Sequence, residues 1–315
     1  MGDRACAPVV LIGYRRPEMT ARVLAAIIEA QPSHLFLVMD GPKSGDADDS
    51  SAVAAVRAVL EGVPGETPVT KIFSKSNLGL KARVVSGLDE VFATVEEAII
   101  VEDDCLPSPD FFRYATELLD RYRSNPAVGI VSGSSRLRGR QVSSASYDFS
   151  SDVRIWGWAT WGRTWRSFSA SGDLERSWSV TEQASLVKKF PHGARRRAMK
   201  KMLKTAGMLD SWALPFVVHC ISRGYLNAVP TQNLVTNIGL GSSSTHTRFE
   251  SWVAYQDAVN LEFPLRHPEV VFANPRLDAA ESRGDARELW AYPLRHPIDA
   301  LRRVLRYVRL PANGK

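Results

Sequence analysis

The stretch AIIVEDDCLPSPDFF, Ala98 to Phe112, decides how the chain reads. Its opening Ala98–Val101 is apolar, too short for a helix face, and matches the end of a strand buried on both sides of a parallel sheet. Glu102, Asp103 and Asp104 then fall at that strand's carboxyl end, and in open α/β sheets ligands bind in the crevice beyond the strand tips. Adjacent carboxylates repel one another. A hard divalent cation would relieve that repulsion, because oxygen ligands suit it. The plainer alternative is a solvated acidic turn that caps the next helix, with Asp110 near its N-terminus.

Working outward, PVVLIG (Pro8–Gly13) predicts a buried strand, and Met19, Val23, Leu24, Ile27 and Ile28 predict a helix from Pro17 to Ala30. Pro17 suits the first helical position, where its missing N–H does no harm. His34–Gly41 predicts a second strand closing on Asp40, followed by a helix from about Ser50 to Glu61. Pro68–Phe73 is a third strand and Gly79–Thr94 a helix; after the acidic stretch come a helix over Pro109–Arg123 and a strand over Ala127–Ser132. This alternation predicts an α/β fold, βαβ units on a mainly parallel sheet flanked by helices. Beyond Arg136 the rhythm changes. Ser143–Ser151 reads as a loop, IWGWATWGRTW (Ile155–Trp165) holds four of the eight tryptophans, and Ser211–Arg223 reads as a helix.

The 315 residues, 44% hydrophobic, can bury a large core. No run approaches the ~20 apolar residues of a membrane span, and the N-terminus lacks a signal peptide's basic-then-apolar order, so a cytoplasmic place is expected. Cys6, Cys105 and Cys220 are odd in number and widely spaced, which argues for reduced thiols rather than a disulfide framework or zinc site. The net charge of +6 and pI near 9.3 come largely from Lys188–Lys204, eight cations with no acid, and from the C-terminal segment. Such patches suit polyanions (nucleic acid, anionic lipid or a diphosphate) unless they are simply solvated faces. In His296–Leu310, Ile298, Leu301, Leu305 and Val308 share one helical face with arginines toward the other. That predicts either a helix contacting a membrane surface or one packed on the domain with a wet basic side.

The order GYRRPE, VMDGP, NLGLK, IIVEDDCLPSPDFF, WGWATWG, LDSW and NIGLGSSSTHT resembles bacterial family 2-like nucleotide-sugar glycosyltransferases of the GT-A fold. More distantly it is similar to N-acetylglucosaminyltransferase I. The resemblance runs from about Pro8 to Thr247. It implies a Rossmann-like, nucleotide-sugar-binding α/β half over 1–135, an α-rich acceptor and catalytic half of the same domain over 136–250, and a C-terminal extension with the basic helix over 251–315. It further implies metal-dependent, inverting transfer of a sugar from a UDP- or dTDP-sugar to a saccharide or lipid-linked acceptor in cell-envelope polysaccharide synthesis. Mn²⁺ or Mg²⁺ is the implied cofactor and no nucleic acid is expected; a lipid-binding C-terminal helix would put the protein peripherally on the cytoplasmic membrane face.

Residue by residue, Asp104 matches the family's metal ligand, and Asp103 and Glu102 match contacts to ribose, metal, nucleotide or donor sugar. Asp40 matches the acid that bonds the uracil ring; its alternative is an Asx turn with Gly41. Arg16 matches the family's Arg-Pro and would touch the nucleotide. Asn77 and Lys81 follow the third strand at a helix N-terminus, where anions are favoured, though Lys81 also reads as a surface lysine. Trp156 or Trp158 would stack on a pyranose, unless the cluster is core. Asp210 matches the catalytic base, its alternative being an N-cap, and the chain has Leu209 and Ser211 where the family carries a second acid. His246, after a Gly/Ser loop that could close as a lid, would complete a metal's coordination or bond a phosphate oxygen, its alternative being a surface or satisfied side chain, while His219 is assigned to packing. Two competitors stay open: a nucleotidyltransferase acting on a sugar phosphate, which would release pyrophosphate, and a non-catalytic polyanion- or membrane-binding protein.

Overall fold

The computed structural model describes residues 5–189, 193–205, 210–239 and 256–283. In chain order the elements are β1 (Val9–Gly13), α1 (Pro17–Glu29), β2 (Leu35–Met39), α2 (Ala47–Leu60), β3 (Val69–Phe73), α3 (Leu80–Thr94), β4 (Glu97–Glu102), β5 (Cys105–Pro107), α4 (Pro109–Arg121) and β6 (Val128–Ser132). There follow β7 (Tyr147–Ser150), β8 (Trp158–Trp161), α5 (Gly162–Ser169), α6 (Val180–Lys189), α7 (Gly193–Thr205), α8 (Ala213–Arg223), β9 (Leu226–Pro230) and β10 (Val235–Asn237). A further helix spans 275–283.

Among the described residues the main sheet has the order β3-β2-β1-β4-β8-β6-β9-β7, with β5 and β10 forming a small ribbon. The neighbours β3, β2, β1 and β4 are parallel, as are β6 and β9. Only β8 and β7 run against their partners. The fold is therefore mixed α/β with a large, mainly parallel sheet flanked by helices. Alternation along each strand feeds both faces. Val9 and Leu11, with Leu35, Leu37 and Met39, pack under α1, α2 and α4, whereas Val10 and Ile12, with Phe36 and Val38, pack under α3, α5 and α8.

The sequence-predicted elements up to β6 are present; one boundary and one later stretch differ. Helix α2 begins at Ala47, ahead of Ser50, because the Asp46 carboxylate accepts the Asp49 N–H at 2.9 Å and caps the first turn. The Ser-rich segment expected to be a loop contains β7, and the tryptophan stretch contains the strand β8 and the first turn of α5. A strand buried on both faces shows no alternation, so its period is invisible in the sequence.

The helix over 275–283 is bolted on by charge. Glu281 pairs with Arg154 at 2.7 Å, their side chains 3% and 6% exposed, and accepts the Arg136 N–H at 2.6 Å. The three cysteines are free, as expected, with Cys105 and Cys220 buried. Among the described residues no helix is long and apolar enough to cross a membrane. The basic amphipathic segment His296–Leu310 lies outside the described residues.

Candidate active site

Because β3, β2, β1 and β4 are parallel neighbours, their carboxyl ends share one edge. That edge collects Tyr14 and Arg16 after β1, Asp40 after β2, Asn77–Lys81 after β3 and Glu102–Asp104 at the end of β4.

The acidic stretch is organised by one cation. Arg16 Nη1 donates to Asp104 Oδ2 at 2.7 Å and reaches Asp103 Oδ1 at 3.4 Å, while the Tyr14 N–H holds Asp103 Oδ2 at 3.2 Å. Burial and then the charge of Asp104 push Asp103 up to about 6, against the pull of Arg16. Burial alone would lower Arg16, but Asp103 and Asp104 more than offset it and raise it above the ordinary value. On the other side, the Ile238 N–H bonds the Asp104 carbonyl at 2.7 Å. The backbone there is so close that a Cβ on Gly239 would sit 2.5 Å from Asp104 Oδ2.

Two carboxylates already gathered round a guanidinium fit a hard divalent ion of the kind held by one or two carboxylates and completed by phosphates and water. Asp103 and Asp104 would hold it. Among the described residues no group of three His, Cys, Asp or Glu side chains converges there. His246, the further ligand that the resemblance implies, lies outside the described residues.

Asp40 is buried and fully engaged. Oδ1 accepts the N–H groups of Gly41 at 2.8 Å and Leu78 at 2.9 Å, and Oδ2 accepts Asn77 Nδ2 and the Gly79 N–H, each at 3.1 Å. The Asx-type bond to Gly41 is therefore present, and the same carboxylate ties the loop after β3 to the end of β2. Gly41 admits no side chain, since a Cβ would lie 2.5 Å from the Ser76 carbonyl carbon. Lys81 pairs with Glu175 at 2.8 Å. Arg83 was not legible in the sequence, because a helical arginine belongs to no motif; it is buried in α3, where burial holds its pKa below the ordinary value against the pull of Asp40 and Glu90.

Asp210 comes to this loop from far downstream. Its carboxylate is exposed, and a Cβ on Gly79, whose φ is +83°, would lie 3.1 Å from Asp210 Oδ2. It is not an N-cap: the cap position of α8 is Trp212, with no side-chain cap bond. Trp212 is itself buried and stacks on Trp158 at 6.0 Å between ring centroids.

That contact corrects the expectation for Trp158. At 1% exposure on β8, packed on Trp212 and Phe216, it has no free face for a sugar. Its ring instead seats Trp212, two residues from Asp210. Trp156 is half-buried and precedes Gly157, whose φ of +55° and 2.5 Å approach to Val235 exclude a side chain. His219 is a packed core residue, as expected, bonded to Asp173 at 2.8 Å and Ser167 at 3.2 Å.

No protein-family model matches the sequence, and no curated protein matches it either. Solved structures that the chain is similar to include a mannosyltransferase from Pyrobaculum calidifontis in complex with GDP-Man and Mn²⁺, at 18% identity and TM-score 0.39, over 70% of this chain and 75% of that one. The inositol-1-phosphate CTP transferase from T. maritima aligns at 11% identity and TM-score 0.37, over 72% and 86% of the two chains. A UDP-glucose pyrophosphorylase complexed with UDP-glucose aligns at 9% identity and TM-score 0.32, over 52% and 80%.

Proposed function

We propose that the protein is a metal-dependent, inverting GT-A glycosyltransferase that moves a sugar from a UDP- or dTDP-sugar to a saccharide or lipid-linked acceptor. The observation that carries this reading is the approach of Asp210 to Gly79. An exposed carboxylate from the second half of the chain thereby joins the sheet edge that holds Asp103, Asp104 and Arg16.

In this reading Asp103 and Asp104 hold a Mn²⁺ or Mg²⁺ ion, which when bound supplies Lewis acidity to the departing nucleoside diphosphate. Glu102 lies beside the nucleotide or donor sugar. Asp40 acts through the loop it ties down, holding Asn77 and the N-terminus of α3 where a diphosphate is favoured. Lys81 exchanges its exposed partner Glu175 for that diphosphate, and Trp156 offers the sugar an apolar face. Asp210 takes the proton of the acceptor hydroxyl as that oxygen bonds the anomeric carbon. The bond from that carbon to the diphosphate breaks, and the diphosphate leaves with the electron pair.

The test is product analysis with purified protein, a panel of UDP- and dTDP-sugars, a panel of saccharide and lipid-linked acceptors, and Mn²⁺. Release of UDP or dTDP is expected; release of pyrophosphate from a nucleoside triphosphate would make the protein a nucleotidyltransferase instead. Asp210→Asn should lower turnover by roughly 10²–10⁴-fold with nucleotide binding retained, the usual contribution of a general base. An active Asp210→Asn would remove the base assignment. Asp104→Ala should lose metal-dependent binding as well as turnover.

A further inference from the structure

Among the described residues Asp104 has few anchors of its own. Apart from a long contact from the Cys105 thiol to Oδ1 at 3.5 Å, its carboxylate is held there by Arg16 Nη1 at 2.7 Å on Oδ2. Asp103 differs, having its second oxygen fixed by the Tyr14 backbone at 3.2 Å. Arg16 is thus the cation that balances the carboxylates in the free protein, and among the described residues it makes no other ion pair. Its backbone cannot follow a moving side chain, because its carbonyl accepts both the N–H and the hydroxyl of Thr20, at 2.9 and 2.8 Å, and Pro17 begins α1 beside it. The guanidinium, on a long side chain, can move alone.

The geometry points to an exchange, and we propose that Arg16 is a resident counter-ion that the metal must evict from Asp104 and that the nucleoside diphosphate then receives. This deepens the glycosyltransferase reading and rests on it. Charge in this half-buried site has to stay balanced. A metal arriving alone would replace Arg16 on Asp104 and leave the guanidinium beside a second cation, with only its longer 3.4 Å contact to an Asp103 that the metal would also claim. A metal arriving with a diphosphate gives Arg16 a new bidentate partner, for which its planar fork is suited. Arg16 therefore couples the two ligands, each favouring the other by the same factor. Among the described residues two carboxylates, Asp103 and Asp104, meet Arg16, and a metal site of that kind is completed by substrate phosphates.

The experiment is a titration of Mn²⁺, read by the EPR signal of the free ion, with and without UDP or dTDP, on wild type, Arg16→Met and Arg16→Lys, all checked for folding by thermal melting. In wild type, nucleotide should strengthen Mn²⁺ binding by well over tenfold, near the upper end of common coupling factors. Arg16→Met should bind Mn²⁺ alone about tenfold more tightly than wild type, and the strengthening by nucleotide should fall by about tenfold without vanishing. Arg16→Lys, which keeps a charge but lacks the fork, should fall between them. Wild-type coupling that survives unchanged in Arg16→Met, or Mn²⁺ binding alone that weakens there, would overturn the exchange while leaving the glycosyltransferase reading intact. Absence of any Mn²⁺ and nucleotide binding by wild type would overturn that reading and the exchange with it.

Discussion

Gly239 has no side chain because Asp104 occupies the space one would need: a Cβ there would lie 2.5 Å from Oδ2. Gly239→Ala therefore tests the acidic edge without touching its charges. Overpacking of this size costs about 1–3 kcal/mol, and the cheapest relief is to displace the Asp104 carboxylate from the position it now holds beside Asp103. The expected outcome is roughly tenfold weaker Mn²⁺-dependent nucleotide binding by calorimetry, equivalent to about 1.4 kcal/mol of that cost. Unchanged binding would mean that Asp104 has freedom the close packing denies it. The acids themselves were legible in the sequence, since an apolar run ending in carboxylates is a local pattern. Their pairing with Arg16 was not, because it joins residues 87 and 88 positions apart. Trp158 was misread for a related reason: an aromatic ring has the same sequence signature whether it faces a sugar or another tryptophan.

Helix α8 carries the stacking residue Trp212 at its start and the buried His219 within it. His219 spans from Asp173 to Ser167 and so links α8 to the turn before α6 and to α5. Burial holds its pKa below the ordinary 6.5, with Asp173 pulling the other way. A histidine that protonates less readily when folded leaves the unfolded chain binding more protons, so stability is complete above about pH 6.5 and falls as pH drops below it. Urea midpoints measured at pH 7.5 and pH 5.5 should therefore differ more in wild type than in His219→Gln. An equal difference in the variant would remove His219 as the origin of the pH dependence. At this scale the early elements were legible because parallel βα units alternate period and punctuation, whereas β7, β8 and β9 were not. Their strands are short and wholly or largely buried, and β8 and β7 run in the reverse sense, with no helix crossover to announce them.

The described part of the molecule is held together by the main sheet, whose later strands interleave with earlier ones, and the helix over 275–283 closes the side near β7 and β9. Its ion pair is the most deeply buried one in that region, so Glu281→Ala would take from Arg154, 6% exposed, its 2.7 Å partner while the longer 3.8 Å contact with Asp152 stays. Breaking a buried pair in this way costs about 3–5 kcal/mol. Urea unfolding should show that loss; a cost below about 1 kcal/mol, the range of surface pairs, would mean that Asp152 takes over the charge of Arg154. The reversed strand β8 carries one more consequence. It is hydrogen-bonded on one side to β4 and on the other to β6, strands that both precede it in the chain, while the connection from β6 to β7 runs through an exposed loop at Arg138–Gln141. Neither the piece before that loop nor the piece after it has a complete sheet. Each carries the lane that the other lacks, so the polypeptide could be severed at that loop and the fold would still have a way to reassemble from two separate chains.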